Sequence, residues 1–319
     1  MPQVLKPPPL RCGDTIRILS LASPVEECVL KNGSEELERL GYVAKIDKES
    51  VLARAGFFAG LPTSRVAALK EGLAEHTSRA IFCSRGGYGV NYLLDGLSVA
   101  LASPKILLGH SDITSLQICL WQKFGWVTLH GPMVAVNMPK GAGAPGGYDR
   151  DSLLHSLTDT RKGWTLNLLA EAIVPGSAEG VLLGGCLTLV ETTLGTPWEL
   201  DTHGSILALE DRGMRPYQVD RALMHLKQAG KFRSVAGIVL GDFPECEGPE
   251  GTECVKDVAK RVLSPLGVPV AWGAPIGHTE RPMLTLPLGV HAHLAISGGI
   301  TGSADYGTQL EILEPACVA

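Results

Sequence analysis

Apolar and polar positions follow two rhythms along the first half of the chain. Short apolar runs read as strands: 14–23 (DTIRILSLAS), 43–46 (VAKI), 79–84 (RAIFCS), 105–108 (KILL) and 126–132 (WVTLHGP). Between them lie segments with apolar residues three to four apart, the helical spacing. These are 26–42, 63–76, 90–97 and 113–125, the last with Ile113, Leu116, Leu120 and Phe124 on one stripe. Strand and helix in strict alternation predict a mostly parallel, doubly wound sheet. The texture changes after the Gly/Pro-rich stretch 137–152 (NMPKGAGAPGGYDRDS), which marks a loop. From 178 onward Val, Leu and Gly dominate, with one strongly amphipathic helix at 217–230 (YQVDRALMHLKQAG). The pattern therefore predicts a doubly wound α/β domain over 1–150 and a connector over 151–177. A smaller, β-rich α+β domain follows over 178–319.

Composition narrows the classes. With 319 residues, 45% hydrophobic and 19% charged, the chain has material for two ordinary cores. Net charge is −5 and no Lys/Arg block stands out, which argues against nucleic acid as a partner. The opening MPQVLKPPPLRCGD has prolines where a secretory signal needs an apolar core, and no apolar run has membrane-spanning length. The eight cysteines form no CxxC pair, and Cys83 and Cys119 lie inside apolar runs. They read as reduced thiols of a cytoplasmic protein.

Three places carry chemistry. In 107–114 (LLGHSDIT) a buried strand runs into Gly-His-Ser-Asp and then a helix. That turn is where a nucleophile elbow exposes a serine, here Ser111. A serine or aspartate there is equally a helix cap. Glu210 and Asp211 end the apolar strand 205–209, and His278 follows a glycine in the turn of 275–289 (PIGHTERPMLTLPLG). Each has a plain structural reading: solvated carboxylates at a strand end, and a turn histidine. Together, Ser111, Glu210 and His278 supply a hydroxyl nucleophile, a base of suitable pKa and a carboxylate to orient that base. In 84–91 (SRGGYGVN), Gly86 and Gly87 leave backbone N–H groups open to donate to an oxyanion, beside the N–H of Asp112. A phosphate loop is the alternative, but RGGYG fits neither GxGxxG nor the Walker pattern. His291 and His293 alternate along one strand with no third ligand evident, so they read as strand residues rather than a metal site.

Seven stretches in this order resemble the LD-carboxypeptidase family, serine peptidase group S66, which includes muropeptide carboxypeptidases and microcin C immunity hydrolases. They are FFAGLPTSRVAAL, IFCSRGGYGVNYLLDGL, LLGHSDIT, TLHGPM, GTPWELDTHGSILALED, YQVDRAL and IGHTERPMLTLPLG, lying between 57 and 289, and the resemblance covers about residues 13–290. The resemblance implies Ser111 as nucleophile, Glu210 ahead of Asp211 as the triad carboxylate, and His278 as base. It implies the backbone N–H groups of Gly86 and Asp112 as the oxyanion hole. It further implies a Rossmann-like N-terminal domain bearing the serine, and a β-rich C-terminal domain bearing the acid and histidine. The site would lie in a cleft between domains of a homodimer that needs no metal or cofactor. The expected reaction is release of D-Ala from a murein tetrapeptide in cell-wall recycling. The alternative is hydrolysis of a microcin-type peptidyl- or aminoacyl-nucleotide. Three residues depart from the family pattern: His110 where Tyr or Phe is usual, Met214 (with Arg215 beside it) where a second acid is usual, and Cys186 where Asn is common. Two other classes remain open on the residues alone. An α/β-hydrolase esterase would want a glycine where Ile113 stands, and a non-catalytic binding module leaves Glu210 and His278 without a task.

Overall fold

The computed structural model describes residues 2–97, 103–160, 163–249, 251–297 and 307–318. The chain divides into two compact units: Met1–Thr160 with Arg281–Pro287 and Ala316–Ala319, and Arg161–Glu280 with Leu288–Pro315.

The first unit is α/β. Its strands are β1 (Thr15–Leu19), β2 (Val43–Lys45), β3 (Ala80–Cys83), β4 (Ile106–Gly109) and β5 (Thr128–His130). Its helices are α1 (Glu27–Arg39), α2 (Lys48–Val51), α3 (Pro62–Ala74), α4 (Asn91–Leu94), α5 (Thr114–Phe124) and α6 (Arg150–Thr158). β2, β1, β3, β4 and β5 pair in that order, all parallel. A late segment, Leu286–Leu288, adds the strand beyond β5. Every residue of β3 and β4 is buried, as expected of central strands covered on both faces. The chain places β2 on one side of β1 and β3 on the other. Loops past the carboxyl ends of the strands beside such a switch are where doubly wound sheets present chemistry. Gly86 and Ser111 stand in the loops that leave β3 and β4. Helix α5 follows Ser111, and Gly125 (φ 67°) ends it in the left-handed conformation that suits glycine.

The second unit is built on β6 (Trp164–Asn167), β7 (Glu171–Val174), β8 (Gly176–Cys186), β9 (Ser205–Glu210), β10 (Gly237–Gly241), β11 (Val270–Ala274), β13 (His291–Ile296) and β14 (Thr308–Ile312), β12 being the Leu286–Leu288 strand of the first sheet. They form one mixed sheet in the order β6-β14-β13-β8-β9-β10-β11-β7. Its centre, β8 to β11, is parallel, and β13, β14, β6 and β7 add antiparallel flanks. The helices are α7 (Leu187–Thr192), α8 (Pro216–Gln228) and α9 (Val255–Leu263). Pro216 opens α8 at the first helical position, where a missing N–H is harmless.

The expected boundaries differ from the observed units in two ways. The stretch read as a connector, 151–177, holds most of α6 and two edge strands. β6 and β7 are four residues each, too short for their alternation to stand out. Residues 281–287 and 316–319 return to the first unit, a long-range pairing that local patterning does not encode. No described helix is long and apolar enough to cross a membrane. All eight cysteines are free, five of them buried, including Cys83 and Cys119.

Candidate active site

Ser111 sits in the first unit where β4 passes into a short 3-10 turn (Ser111–Ile113) leading into α5. Its φ is 61°, a left-handed conformation that costs a non-glycine residue about 1–2 kcal/mol. Such strain on a strand-to-helix turn is the mark of a nucleophile elbow. The cap reading fares less well for Asp112. Its carboxylate Oδ2 accepts the N–H of Val90 at 2.9 Å, and so is turned to the neighbouring loop.

That loop brings Gly86 against the serine. A Cβ on Gly86 would lie 2.7 Å from Ser111 Cβ, 2.9 Å from its Oγ and 3.4 Å from the Asp112 backbone nitrogen. Only glycine allows this approach, which sets the Gly86 backbone against the serine, near the Asp112 amide. Ser23 supports the same loop: its N–H donates to Gly86 O at 3.2 Å, and its hydroxyl accepts the Tyr88 N–H at 3.2 Å. At Gly87 (φ 111°) a side chain would collide with Ser23, at 2.2 Å from its Oγ.

Glu210 and His278 meet in the second unit. Glu210 ends β9 fully buried. Its Oε2 accepts two bonds from His278: the backbone N–H at 2.8 Å and ring Nδ1 at 2.7 Å. With Nδ1–H given to the carboxylate, Nε2 is the ring's basic nitrogen. Burial would lower the imidazole pKa, but the Glu210 charge and hydrogen bond outweigh it, Asp211 adds to them, and the net shift is upward. Glycines make room for the pair. A Cβ on Gly277 (φ 59°) would lie 2.0 Å from Glu210 Cδ, and one on Gly241 would lie 2.7 Å from Glu210 Cβ. The turn after the histidine is held by Thr279, whose hydroxyl donates to Asp242.

Asp211, the other carboxylate of the pair, has a different task. Its Oδ2 accepts the Thr188 N–H at 2.8 Å and the Thr188 hydroxyl at 2.7 Å, which secures the start of α7. Burial and the Glu210 charge both raise its pKa. Two of the three departures from the family pattern lie around it: Cys186 Sγ donates to Asp211 Oδ2 at 3.5 Å, and Met214 Sδ lies 3.5 Å from the Thr188 hydroxyl. Arg215 points elsewhere, to the Glu247 carbonyl at 3.4 Å. His110, buried ahead of the serine, has Nδ1 3.0 Å from Gly131 O.

Gly86, Ser111 and Asp112 thus stand together in the first unit, and Glu210 and His278 in the second. Among the described residues no group of three or more His, Cys, Asp or Glu is arranged to hold a metal. His291 and His293 share a face of β13, with His293 4.0 Å from Glu311. Ser23 and Arg65 belong to none of the motifs read from the sequence, and the Asp112 carboxylate, expected as a helix cap, binds the neighbouring loop instead. The signal for Arg65 was present: it lies four residues before Leu69 on the buried stripe of α3, where a charge is out of place.

Comparison with known proteins bears on the same segments. The model for the LD-carboxypeptidase N-terminal domain matches residues 16–131, and that for the C-terminal domain matches residues 179–294. The chain is 36% identical over 293 residues to the probable murein peptide carboxypeptidase of Bacillus subtilis (strain 168), covering 90% of each protein. It is similar in structure to the muramoyltetrapeptide carboxypeptidase of Oxalobacter formigenes, with a TM-score of 0.81, 28% identity and coverage of 94% of this chain and 99% of that one. It is also similar to an inactive mutant of the microcin C7 self-immunity protein MccF in the apo state, with a TM-score of 0.86, 25% identity and coverage of 98% and 99%.

Proposed function

Because the chain belongs to the LD-carboxypeptidase family of serine peptidases, we propose that it hydrolyses the amide between an L-centre and a C-terminal D-amino acid, releasing D-Ala from a murein tetrapeptide. The observation that carries this reading is the imidazole of His278 held by Glu210 through two hydrogen bonds. A buried carboxylate on Nδ1 fixes the tautomer that leaves Nε2 able to take a proton. The strained turn at Ser111, with two backbone amides beside it, supplies the other half of acyl-transfer chemistry.

In the proposed cycle Ser111 Oγ attacks the scissile carbonyl as His278 Nε2 takes its proton. The Gly86 and Asp112 amides receive the negative oxygen of the tetrahedral intermediate. The C–N bond then breaks, and His278 returns the proton to the departing amine of D-Ala. Water attacks the acyl-enzyme with His278 again as base, and Ser111 is restored. Glu210 stays ionised throughout and stabilises the imidazolium that forms twice. The murein substrate is drawn from the named relatives, and a cytoplasmic homodimer belongs to the same proposal.

The test is incubation with murein tetrapeptide and detection of free D-Ala by mass spectrometry, with Ser111→Ala as control. Release by wild type, reduced by about four to six orders of magnitude in the variant, is expected. Folded wild-type protein that releases none overturns the murein reading. Cleavage of a peptidyl-nucleotide of the microcin type instead would replace it with an immunity hydrolase.

A further inference from the structure

The Asp112 carboxylate and Arg65 take part in no step of that cycle, yet both are buried, with only 3% and 2% of their surfaces exposed. A guanidinium on the inner stripe of a helix destabilises the fold unless something compensates it. Arg65 Nη1 donates to Leu21 O at 2.5 Å and to Gly89 O at 2.9 Å. The Phe58 ring covers its guanidinium, 5.0 Å from Cζ to centroid. Burial works against the cation and lowers its pKa, and the Asp112 charge, within electrostatic reach, offsets part of that. Asp112 for its part receives the amide of Val90. Carboxylate and guanidinium therefore grip one peptide segment, 89–90, from its N–H and C=O sides.

That segment ends the loop carrying Gly86. The loop holds two glycines at positive φ, Gly87 (111°) and Gly89 (128°), and is free to take other shapes unless held. At Gly89 the grip leaves no room: a Cβ would lie 2.6 Å from Phe58 Cδ1 and 2.8 Å from Arg65 Nη1. Oxyanion donors act only when aimed within a few tenths of an ångström of the charge they receive. We propose that Arg65 and the Asp112 carboxylate are positioning residues, a clamp that holds the glycine loop so that the Gly86 amide stays on Ser111. This rests on the serine hydrolase reading above. Asp112 then serves the oxyanion twice, with its own backbone N–H and by holding the loop of the second donor.

The test compares Arg65→Met, Arg65→Lys and Asp112→Asn with wild type, all shown to be folded by circular dichroism. kcat and KM for D-Ala release are measured separately, together with the rate at which a fluorophosphonate probe labels Ser111. In Arg65→Met, kcat is expected to fall about 10–100-fold, short of the loss of a whole oxyanion donor, with KM held within about threefold. Labelling should slow in parallel, because the probe builds charge on the same donors. Arg65→Lys should recover part of the loss. Asp112→Asn, which keeps one acceptor but no charge, should fall between wild type and Arg65→Met. Unchanged kcat and labelling in folded variants, or a change in KM or melting temperature alone, overturns the clamp. If Arg65→Met does not fold, Asp112→Asn decides on the same criteria. If wild type releases no D-Ala, the substrate reading has failed, and the labelling rates alone decide the clamp.

Discussion

Replacing Gly277 by alanine should disable the enzyme through Glu210 rather than through any group that touches substrate. Two separate effects act there. The residue sits at φ 59°, so any Cβ brings left-handed strain of about 1–2 kcal/mol. The same Cβ would fall 2.0 Å from Glu210 Cδ and 2.4 Å from both Cγ and Oε2. Nothing tolerates that, so the carboxylate must leave or the turn must open, and overpacking of this kind adds about 1–3 kcal/mol. The expected destabilisation is about 2–5 kcal/mol in urea unfolding. Either way Oε2 loses one or both bonds to His278, and the imidazole loses its orientation. Loss of the carboxylate's role in a serine triad lowers kcat by about 10⁴. The control is Gly267→Ala, at φ 70° with nothing within 4 Å, which should show the strain alone, about 1–2 kcal/mol, and full activity. Equal stability loss in the two variants, or a Gly277→Ala enzyme with wild-type kcat, would refute the reasoning.

Two further expectations follow from the same geometry. Since Glu210 raises the His278 pKa, the acidic limb of kcat/KM should lie above the usual histidine value, because activity requires the neutral ring. By the same sign, the stability the pair contributes is present below the unfolded histidine pKa and fades as pH rises through the raised one. Glu210→Gln should move the limb to lower pH and reduce its plateau by about 10³–10⁴. A limb that stays in place belongs to another group, and Asp112, pushed up to about 6 mainly by burial, is the first to examine. Gly86→Ala should lower kcat by about 10²–10³ as its methyl pushes Ser111 and the loop apart, and overpacking should cost about 1–3 kcal/mol of stability; unaltered kcat would overturn the proposed oxyanion role of Gly86.

Much of this was legible in the residues because local pattern and local function coincide. Ser111 follows an apolar run and precedes a helical stripe, so its turn could be read before any coordinates. Glu210 and Asp211 were harder, being adjacent acids at one strand end. Glu210 is the last residue of β9 and Asp211 the first beyond it; one binds His278 and the other Thr188, and only three-dimensional partners distinguish those fates. The place of Arg65 on the apolar stripe of α3 was readable, but its partners, backbone carbonyls 24 and 44 residues away, were not. The true extent of the two units was hidden for a similar reason. Pairing of residues 281–287 and 316–319 with the first unit depends on contacts across more than a hundred positions, to which periodicity is blind.

That late return has a consequence for how the protein comes into being. Val318 donates its N–H to Pro7 O, and Cys317, fully buried, reaches the Ser156 carbonyl from its thiol. A nascent chain that has already exposed the Gly-His-Ser-Asp turn still lacks the outer strand of that sheet and the tail that closes it. By the time both arrive, Glu210 and His278 have also been synthesised. The unit bearing Ser111 is therefore completed only after Glu210 and His278 exist, and a product terminated before residue 281 would be an unfinished fold.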